Sequence, residues 1–337
     1  MSVQRPALDR AAELRDEIGI LDRLRAESDT RVLVVRDGRV RVAPARGGGA
    51  RGLDTDASRI PGATSPSRRV EGRHADASAG RPGPGTEKPV TLLLVSPSDI
   101  DDATWALLGR DATGAALLLA VPPDADPAEP GPTDTWLGLR DIGGRMDAAD
   151  GELLVEAIAL AGWLRDAPFC PACGGATELR QAGWSRRCLA CGKEHFPRTD
   201  PAVIVAVESA DGERLLLGAN ANWGGRMYSC FAGFVEAGET LESTVHREIE
   251  EEAGVRLAAV RHVSSQAWPY PRSLMIGFRA VVEDESAARA DGEEIIDVRW
   301  FTRAEIGTAL LGDGPVGLPG LASIARALIR EWYEEHT

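Results

Sequence analysis

The alternation of apolar and polar residues predicts two regions that combine helices and strands. In the N-terminal half, apolar residues at three- and four-residue spacing predict helices over residues 8–27 and 148–165. The apolar positions of the first helix are Leu14, Ile18, Leu21 and Leu24. Short runs rich in branched residues predict a hairpin over Arg31–Val42 with its turn at Asp37-Gly38, and strands at Val90–Ser96 and Ala115–Val121.

The C-terminal half repeats the mixture of strands and helices. Strands are predicted at Ala202–Ser209, Glu213–Gly218, Arg261–Ala267, Leu274–Val282 and Asp297–Thr302. Helices are predicted at Leu241–Ala253, Arg303–Leu311 and Gly320–Glu334. The fold class expected from this order is α+β, with each half forming its own domain.

Residues 43–88 differ in composition from both halves. They are rich in Gly, Ala, Pro, Ser and Arg, and their only sizeable aliphatic residues are Leu53, Ile60 and Val70. Such a segment buries too little apolar surface to offset the entropy of ordering it, so we expect a disordered, mildly basic insertion between two strands. The three glycines at 47–49 are not followed by the Lys-Ser/Thr of a phosphate-binding loop, which favours a linker.

Charge and hydropathy exclude several classes of protein. The 337 residues carry 38 basic and 52 acidic side chains, a net charge of −14, which argues against a protein whose whole surface binds nucleic acid. We expect no DNA partner. A nucleotide in a local pocket stays possible, and an acidic chain suits a site that recruits a cation. The apolar runs are shorter than the roughly 20 residues of a membrane span, and Met1–Arg10 has no apolar signal-peptide core. We therefore expect a soluble, cytoplasmic protein without a membrane partner.

Four of the five cysteines form two CxxC pairs. Cys170 and Cys173 precede Cys188 and Cys191 by fourteen intervening residues, and such paired knuckles fit a closed, structural Zn²⁺ site. Disulfides or unrelated buried thiols are the alternative. Cys230 stands alone in an apolar run and is expected to be a small core residue.

The stretch from Gly233 to Val255 carries the strongest chemical signal. It fits the pattern G-x5-E-x7-R-E-U-x-E-E-x-G-U, where U is aliphatic, at every fixed position. Glu248, Glu251 and Glu252 share one helix face, where three like charges are destabilising unless a cation such as Mg²⁺ or Mn²⁺ binds them. A solvated acidic helix face is the alternative for the three glutamates alone. With the whole pattern present, the stretch resembles the box of the Nudix hydrolases.

A second segment, Ser265-Gln-Ala-Trp-Pro-Tyr-Pro-Arg-Ser273, resembles the SQPWPFPxS motif of the bacterial NADH pyrophosphatases and NAD-cap decapping hydrolases. Ala267 and Tyr270 depart from that motif. The resemblance implies three domains: a degenerate Nudix-like domain at 1–165, a zinc ribbon at 166–197 and a catalytic Nudix domain at 198–337. It also implies a homodimer that hydrolyses NAD(H) to nicotinamide mononucleotide and AMP, and that removes NAD caps from RNA.

The resemblance also implies residue roles, position by position. The catalytic metal would be bound by Glu248, Glu251, Glu252, the Ala232 carbonyl and Glu294. Glu293 is the alternative to Glu294. Arg247 would be a further catalytic residue. The substrate pocket would comprise Phe196, where the family has Tyr, together with Phe234, Gln266, Trp268, Tyr270, Ser273, Met275, Ala325 and Arg140.

Two other readings remain open from the sequence. The chain could be a Nudix hydrolase of ADP-ribose, a dinucleoside polyphosphate or another nucleoside diphosphate derivative. It could also be a non-catalytic, nucleotide-sensing Nudix protein, although the intact Arg-Glu-x-x-Glu-Glu core disfavours that reading.

Overall fold

A computed structural model describes residues 8–44, 89–123, 135–224 and 226–335. The strands are β1 (Arg31–Val34), β2 (Arg39–Pro44), β3 (Val90–Leu92), β4 (Thr104–Arg110), β5 (Ala116–Val121), β6 (Thr135–Gly138), β7 (Thr177–Arg180), β8 (Ser185–Cys188), β9 (Glu194–His195), β10 (Asp200–Glu208), β11 (Arg214–Asn220), β12 (Phe231–Phe234), β13 (Leu257–Trp268), β14 (Ser273–Val282) and β15 (Ile295–Thr302). The helices are α1 (Ile20–Ala26), α2 (Leu139–Ile142), α3 (Ala148–Asp166), α4 (Leu241–Ala253), α5 (Arg303–Leu310) and α6 (Ile324–Glu334).

The N-terminal part contains two three-stranded sheets, with strand orders β1-β5-β4 and β3-β2-β6. Helix α3 packs its predicted apolar face, from Leu153 to Leu164, into a core that also takes side chains from both sheets. The prediction of this helix is confirmed. The prediction of a helix over 8–27 is wrong in its first half, because Gly19 takes a left-handed conformation with φ 72° and α1 begins only after it. Ile18 is consequently fully exposed.

The predicted hairpin over Arg31–Val42 is confirmed at its turn and wrong in its pairing. Arg36 and Arg39 exchange two backbone hydrogen bonds of 3.0 and 2.8 Å across Asp37-Gly38. Beyond that bridge, β1 pairs with β5 and β2 pairs with β3 and β6, so the two strands enter different sheets. The predicted insertion begins too early, because residues 43 and 44 belong to β2. The remainder, 45–88, lies outside the described residues and is placed between β2 and β3 by the chain order.

A small antiparallel sheet of order β7-β8-β9 follows α3 and carries the two cysteine pairs. The chain then enters a six-stranded mixed sheet of order β13-β14-β10-β11-β15, in which β12 pairs with the first half of β10. Strand β12 was not predicted. Its four residues contain Gly233 and alternate too little to be recognised as a strand.

Two apolar cores flank this sheet. One lies under α4 and includes Val203, Val245 and Ile249. The other lies under α5 and α6 and includes Ile204, Phe301 and Trp332. The predicted α+β class, with a mixed sheet between helices, is confirmed. Within the described residues, the helices are too short or too polar to cross a bilayer.

Candidate active site and zinc site

The four cysteines of the small sheet come together as predicted. Their Sγ atoms all lie within 4.8 Å of one another, and the pairs Cys170–Cys191 and Cys173–Cys188 are 3.7 and 3.5 Å apart. A tetrahedral Zn²⁺ with Zn–S bonds of about 2.3 Å separates its sulfur ligands by roughly 3.8 Å, so the cluster has the right size. The backbone N–H of Cys191 lowers the pKa of the Cys188 thiol, which favours the thiolate that zinc requires.

One residue beside the cluster was missed from the sequence. The Nε2 atom of His195 lies 3.1 Å from the Sγ atom of Cys170. A ring N–H at that distance would donate to a metal-bound thiolate, as outer-sphere ligands do. The spacing of His195, four residues after Cys191, was the available signal.

Helix α4 displays the box glutamates because both of its ends are capped. The Thr240 side chain accepts a hydrogen bond from the Ser243 backbone N–H, and Gly254 ends the helix with φ 67°. Val245 and Ile249 are fully buried, and Leu241 packs against the same core. That anchored face turns the glutamates toward β12 and its following loop.

The carboxyl group of Glu248 lies directly against the backbone of Gly233. A Cβ atom built on Gly233 would be 1.9 Å from both Cδ and Oε1 of Glu248. Only glycine fits this position of β12, so the contact with Glu248 of α4 explains why the box pattern begins with glycine. The contact fixes the carboxylate beneath the Ala232–Gly233 backbone.

Arg247 holds the surrounding loop in place. Its guanidinium donates to both carboxylate oxygens of Glu239 at 2.7 and 2.9 Å and to the Phe234 carbonyl at 3.0 Å. Its Nη1 atom also lies 2.8 Å from Glu248 Oε1 and 3.0 Å from Glu251 Oε2. The bonds from Arg247 lower the pKa of Glu239 to about 2. Arg247 is therefore a positioning residue in this geometry.

The buried glutamates are poorly satisfied without a cation. Glu252 is 6% exposed, and among the described residues its Oε2 atom has no hydrogen-bond partner. Burial, together with the Glu248 and Glu294 carboxylates, raises the pKa of Glu252 to about 8. Burial also raises the pKa of Glu248, against the opposing effect of Arg247. A divalent cation would neutralise these charges and bind the orphan oxygen, so the donor set fits Mg²⁺ or Mn²⁺.

Of the two candidates for the additional acidic ligand, Glu294 is the one that the structure places near the buried glutamates. It is close enough to raise the pKa values of both Glu248 and Glu252. The Asp291 carboxylate accepts the Glu294 backbone N–H at 2.9 Å and so fixes the segment. Glu251 is 61% exposed at the outer edge of the cluster. Within the described part of the chain, these carboxylate oxygens do not converge to the 4.8 Å of the cysteine group.

Several of the predicted substrate residues lie on the face of the six-stranded sheet opposite α4. Phe234, Ala202, Met275 and Gln266 are neighbours across four strands, in register. Met275 of β14 and Ala325 of α6 pack in the same core. The Phe234 ring is 51% exposed at the end of β12, immediately after the backbone that covers Glu248. An exposed ring beside a cation site is suited to stacking on a base.

Two predicted substrate residues make hydrogen bonds within the chain. The Gln266 amide donates to the Ala322 carbonyl at 2.9 Å and accepts from the Ile324 backbone N–H at 2.8 Å. The Tyr270 hydroxyl accepts from the Leu139 N–H at 3.2 Å and packs against the N-terminal core. Gln266 thus fixes the start of α6, and Tyr270 joins the two halves of the chain.

The remaining predicted residues surround that junction. The Arg140 guanidinium lies 5.5 Å from the Trp268 ring and 5.3 Å from the Tyr270 ring. Trp268 and the buried Ser273 line a cleft of about 650 Å³ between the N-terminal part and the large sheet. Phe196 follows His195 and is 44% exposed. Cys230 is a buried core residue, as predicted, and burial raises its pKa to about 12.

Comparison with known proteins agrees with this geometry. The NUDIX domain family matches residues 198–319, and the NADH pyrophosphatase zinc ribbon domain family matches residues 165–196. The chain is 43% identical to the NAD-capped RNA hydrolase NudC of Mycobacterium tuberculosis over 236 residues, which are 67% of this chain and 74% of that protein. It is 37% identical to the human NAD-capped RNA hydrolase NUDT12 over 198 residues, 56% of this chain and 43% of that protein.

These matches confirm the predicted Nudix fold and the predicted zinc ribbon. They cover the residues that form the cysteine cluster and the acidic helix, and the identity to NudC extends over most of both chains. This chain belongs to the NudC family of Nudix hydrolases.

Proposed function

We propose that the protein hydrolyses the diphosphate bond of NAD(H) to nicotinamide mononucleotide and AMP, and removes NAD caps from RNA by the same reaction. The observation that carries the proposal is the buried carboxylate pair of Glu248 and Glu252, with its orphan oxygen, beneath the end of β12. The post-box segment at 265–273 and the names of the relatives, which are NAD-capped RNA hydrolases, support this substrate over other dinucleotides.

The chain contributes positioning and charge to this reaction. Glu248, Glu252 and Glu294, with Glu251 at the edge and the Ala232 carbonyl above them, would hold Mg²⁺ or Mn²⁺. Such a cation would supply charge to neutralise the diphosphate and the leaving phosphate, and would favour deprotonation of the attacking water. Arg247 keeps Glu248, Glu251 and the Phe234 carbonyl at fixed positions. Water adds to one phosphorus, and the bond from that phosphorus to the bridging oxygen breaks. The other nucleotide leaves with the bridging oxygen on its phosphate, and the protons of the water pass to solvent, which gives nicotinamide mononucleotide and AMP.

The substrate bases would bind on the aromatic side of β12. Phe234 offers an exposed ring next to the cation site. The wall of the pocket would be formed by Met275 and Ala325, which pack in one core, and by Trp268 and Ser273, which line the junction cleft. Phe196 provides a second exposed ring, and Arg140 backs Trp268. Gln266 and Tyr270 support this wall by fixing α6 and the domain junction.

The zinc ribbon, the homodimer and the cellular location complete the proposal. Zn²⁺ bound by the four cysteines has a structural role, since all four ligand positions are filled by protein. We infer the division into domains at 1–165, 166–197 and 198–337, a homodimer, and a cytoplasmic location in which the cysteines stay reduced. Light scattering of the purified protein at several concentrations tests the dimer.

A product assay tests the reaction. The protein is incubated with Mg²⁺ or Mn²⁺ and NADH, NAD⁺, ADP-ribose or NAD-capped RNA, and the products are separated by chromatography. We expect AMP and nicotinamide mononucleotide from NADH, and loss of that activity in Glu252→Gln and Glu251→Gln.

Glu250→Gln is the matched control for that assay. Glu250 lies on the same helix and forms an exposed ion pair with Arg256, 3.6 Å away. The Glu250→Gln substitution therefore removes the same charge without changing the site. Wild-type protein that releases no AMP from NADH, or a Glu252→Gln variant as active as Glu250→Gln, would refute the proposed function.

A further inference from the structure

The carboxylate of Glu294 is bonded by a side chain that lies outside the box pattern. Asn220 is the last residue of β11, and its Nδ2 atom donates a hydrogen bond to Oε1 of Glu294 at 3.2 Å. Glu248 and Glu252 are fixed by burial, whereas Glu294 is exposed. An exposed glutamate keeps its rotamer freedom unless a partner removes it. The position of this one proposed cation ligand therefore depends on its hydrogen bonds.

The alternation of β11 places Asn220 on the face of the sheet that α4 covers. Leu216 packs in the core under α4, and a Cβ atom built on Gly218 would meet Phe231 and Ile295 of the same core. Side chains two residues apart in a strand share a face, so Asn220 continues the row of Leu216 and Gly218. Its amide therefore lies on the same side of the sheet as the box helix.

The end of β11 also holds the main chain of Glu294. The pairing of β11 with β15 shifts register at Asn220, whose partner is Ile295, and this leaves one extra residue in β15. Bulges of this kind occur next to functional sites, where they re-aim a side chain. The backbone N–H of Ala221 donates to the Glu294 carbonyl at 2.9 Å. Two successive residues thus bond Glu294, one at its carboxylate and the other at its backbone.

The orientation of the Asn220 amide follows from its other hydrogen bonds. Its Oδ1 atom accepts the Asn222 backbone N–H at 2.9 Å and the Asn222 side-chain amide at 3.1 Å. A carboxamide has one oxygen that accepts and one nitrogen that donates. Because the oxygen is bonded to Asn222, the NH₂ group is the part that faces Glu294. A donor is what a carboxylate needs there, and hydrogen bonds to an ionised acceptor are the stronger kind.

We propose that Asn220 is a positioning residue of the catalytic site, which holds the carboxylate of Glu294 in place for the divalent cation. This role rests on the proposed function, because Glu294 is a proposed ligand of that cation. Partners behind a metal ligand orient it, and their loss typically costs about 10- to 100-fold in metal affinity or activity. Because both side chains are partly in contact with solvent, we expect the lower end of that range.

Serine at position 220 separates this role from a purely structural one. Asn220 is also the N-cap of the short 3₁₀ helix Ala221–Trp223. Serine caps helices about as well as asparagine, so Asn220→Ser keeps an acceptor for the Asn222 N–H. Its side chain ends one bond before the amide nitrogen, so it cannot replace the donor to Glu294. A loss of metal affinity in this variant therefore reports on Glu294 and not on the turn.

The experiment measures Mn²⁺ binding without substrate by electron paramagnetic resonance, and kcat/KM on NADH at low and at saturating Mn²⁺. The variants are Asn220→Ser, Glu294→Ala and the double variant, with Asn222→Ser as the matched control. Asn222 is exposed, and its side chain donates to Asn220 rather than to Glu294. We expect Asn220→Ser to bind Mn²⁺ about tenfold more weakly, and Asn222→Ser to stay within about twofold of the wild type. Saturating Mn²⁺ should restore most of the activity of Asn220→Ser.

The double variant decides whether Asn220 acts through Glu294. In the Glu294→Ala background the acceptor is gone, so Asn220→Ser should cost no further Mn²⁺ affinity. Losses that add in the double variant would overturn the proposed role. Wild-type affinity in Asn220→Ser or in Glu294→Ala, an equal loss in Asn222→Ser, or a wild type that binds no Mn²⁺ would also overturn it.

Folding and the proposed function are controlled separately. A circular dichroism melt checks each variant, and Asn220→Thr, another N-cap residue without the amide nitrogen, takes the place of Asn220→Ser if that variant is unstable. A wild type that binds Mn²⁺ but releases no AMP from NADH refutes the proposed function. The Mn²⁺ titrations would still decide whether Asn220 positions Glu294.

Discussion

Replacing Gly233 by alanine tests whether the position of the Glu248 carboxylate controls catalysis. The added Cβ would stand 1.9 Å from Cδ and Oε1 of Glu248, where ordinary contact begins at 3.4 Å. Either Glu248 or the β12 backbone must therefore move by about 1.5 Å, the difference between those two distances. Both movements change the separation between the carboxylate and the Ala232 carbonyl, which are proposed to bind the same cation.

The size of the effect follows from that displacement. A 1 Å misplacement near reacting groups costs on the order of 10²-fold in rate, so kcat on NADH should fall by about 10²-fold or more in Gly233→Ala. That loss corresponds to about 3 kcal/mol of activation free energy. Calorimetric titration with Mn²⁺ should show weaker binding, because one ligand has been displaced.

Gly162→Ala is the control for this substitution. Gly162 lies inside α3, and a Cβ there meets nothing within 4 Å, so alanine should leave kcat unchanged and stabilise the helix by up to about 1 kcal/mol. A Gly233→Ala enzyme with the wild-type kcat and Mn²⁺ affinity would refute the reasoning, since Glu248 could then move without consequence.

Three further predictions concern other parts of the structure. Arg247→Lys should lower both kcat and the thermal midpoint, because one ammonium group cannot replace the guanidinium bonds to Glu239, Glu248 and Phe234; unchanged values of both would contradict this. His195→Ala should release zinc to a chelator about 10- to 100-fold more readily, measured by a colorimetric zinc assay, and equal release from wild type would contradict the bond to Cys170. The pKa of Glu156 is raised from 4.5 to about 7, so the folded state retains a proton there and wild-type stability falls as pH rises through that window. The free energy of unfolding of Glu156→Gln, measured with urea and compared with that of the wild type, should rise by about 3 kcal/mol between pH 4 and pH 8, from about 2.5 pKa units at 1.36 kcal/mol each. A difference between the two proteins that does not change with pH would contradict this prediction.

The features predicted well from the sequence are those whose signal is local. Helix α4 was predicted to its exact residues, since Thr240 and Gly254 mark its ends and its apolar positions fall on one face. The cysteine cluster followed from two knuckles that each determine their own turn. In both cases the residues that specify the structure lie within one element or one turn of each other.

The features that were missed depend on contacts between distant segments. Nothing in the run from Arg31 to Val42 shows that β1 will pair with β5, eighty-odd residues later, while β2 pairs with β3 beyond the insertion. The helix predicted over 8–27 failed at Gly19, where a glycine with positive φ interrupts an otherwise helical pattern. Apolar spacing alone did not reveal that Ile18 would face solvent.

The candidate site shows the same division between pattern and contact. The box identified Glu248, Glu251 and Glu252 together, but only the fold shows that Glu252 is buried with an unpaired oxygen while Glu251 remains exposed. The post-box segment places Gln266 and Tyr270 among the substrate residues, and only the fold shows that the Gln266 amide also bonds the Ala322 carbonyl before α6 and that the Tyr270 hydroxyl also bonds the start of α2. A motif specifies which residues occur together, and it cannot distinguish those that touch a ligand from those that hold its neighbours. Glu156 is the converse case, because it belongs to no motif and only the fold shows that α3 buries its carboxyl group beside a cleft.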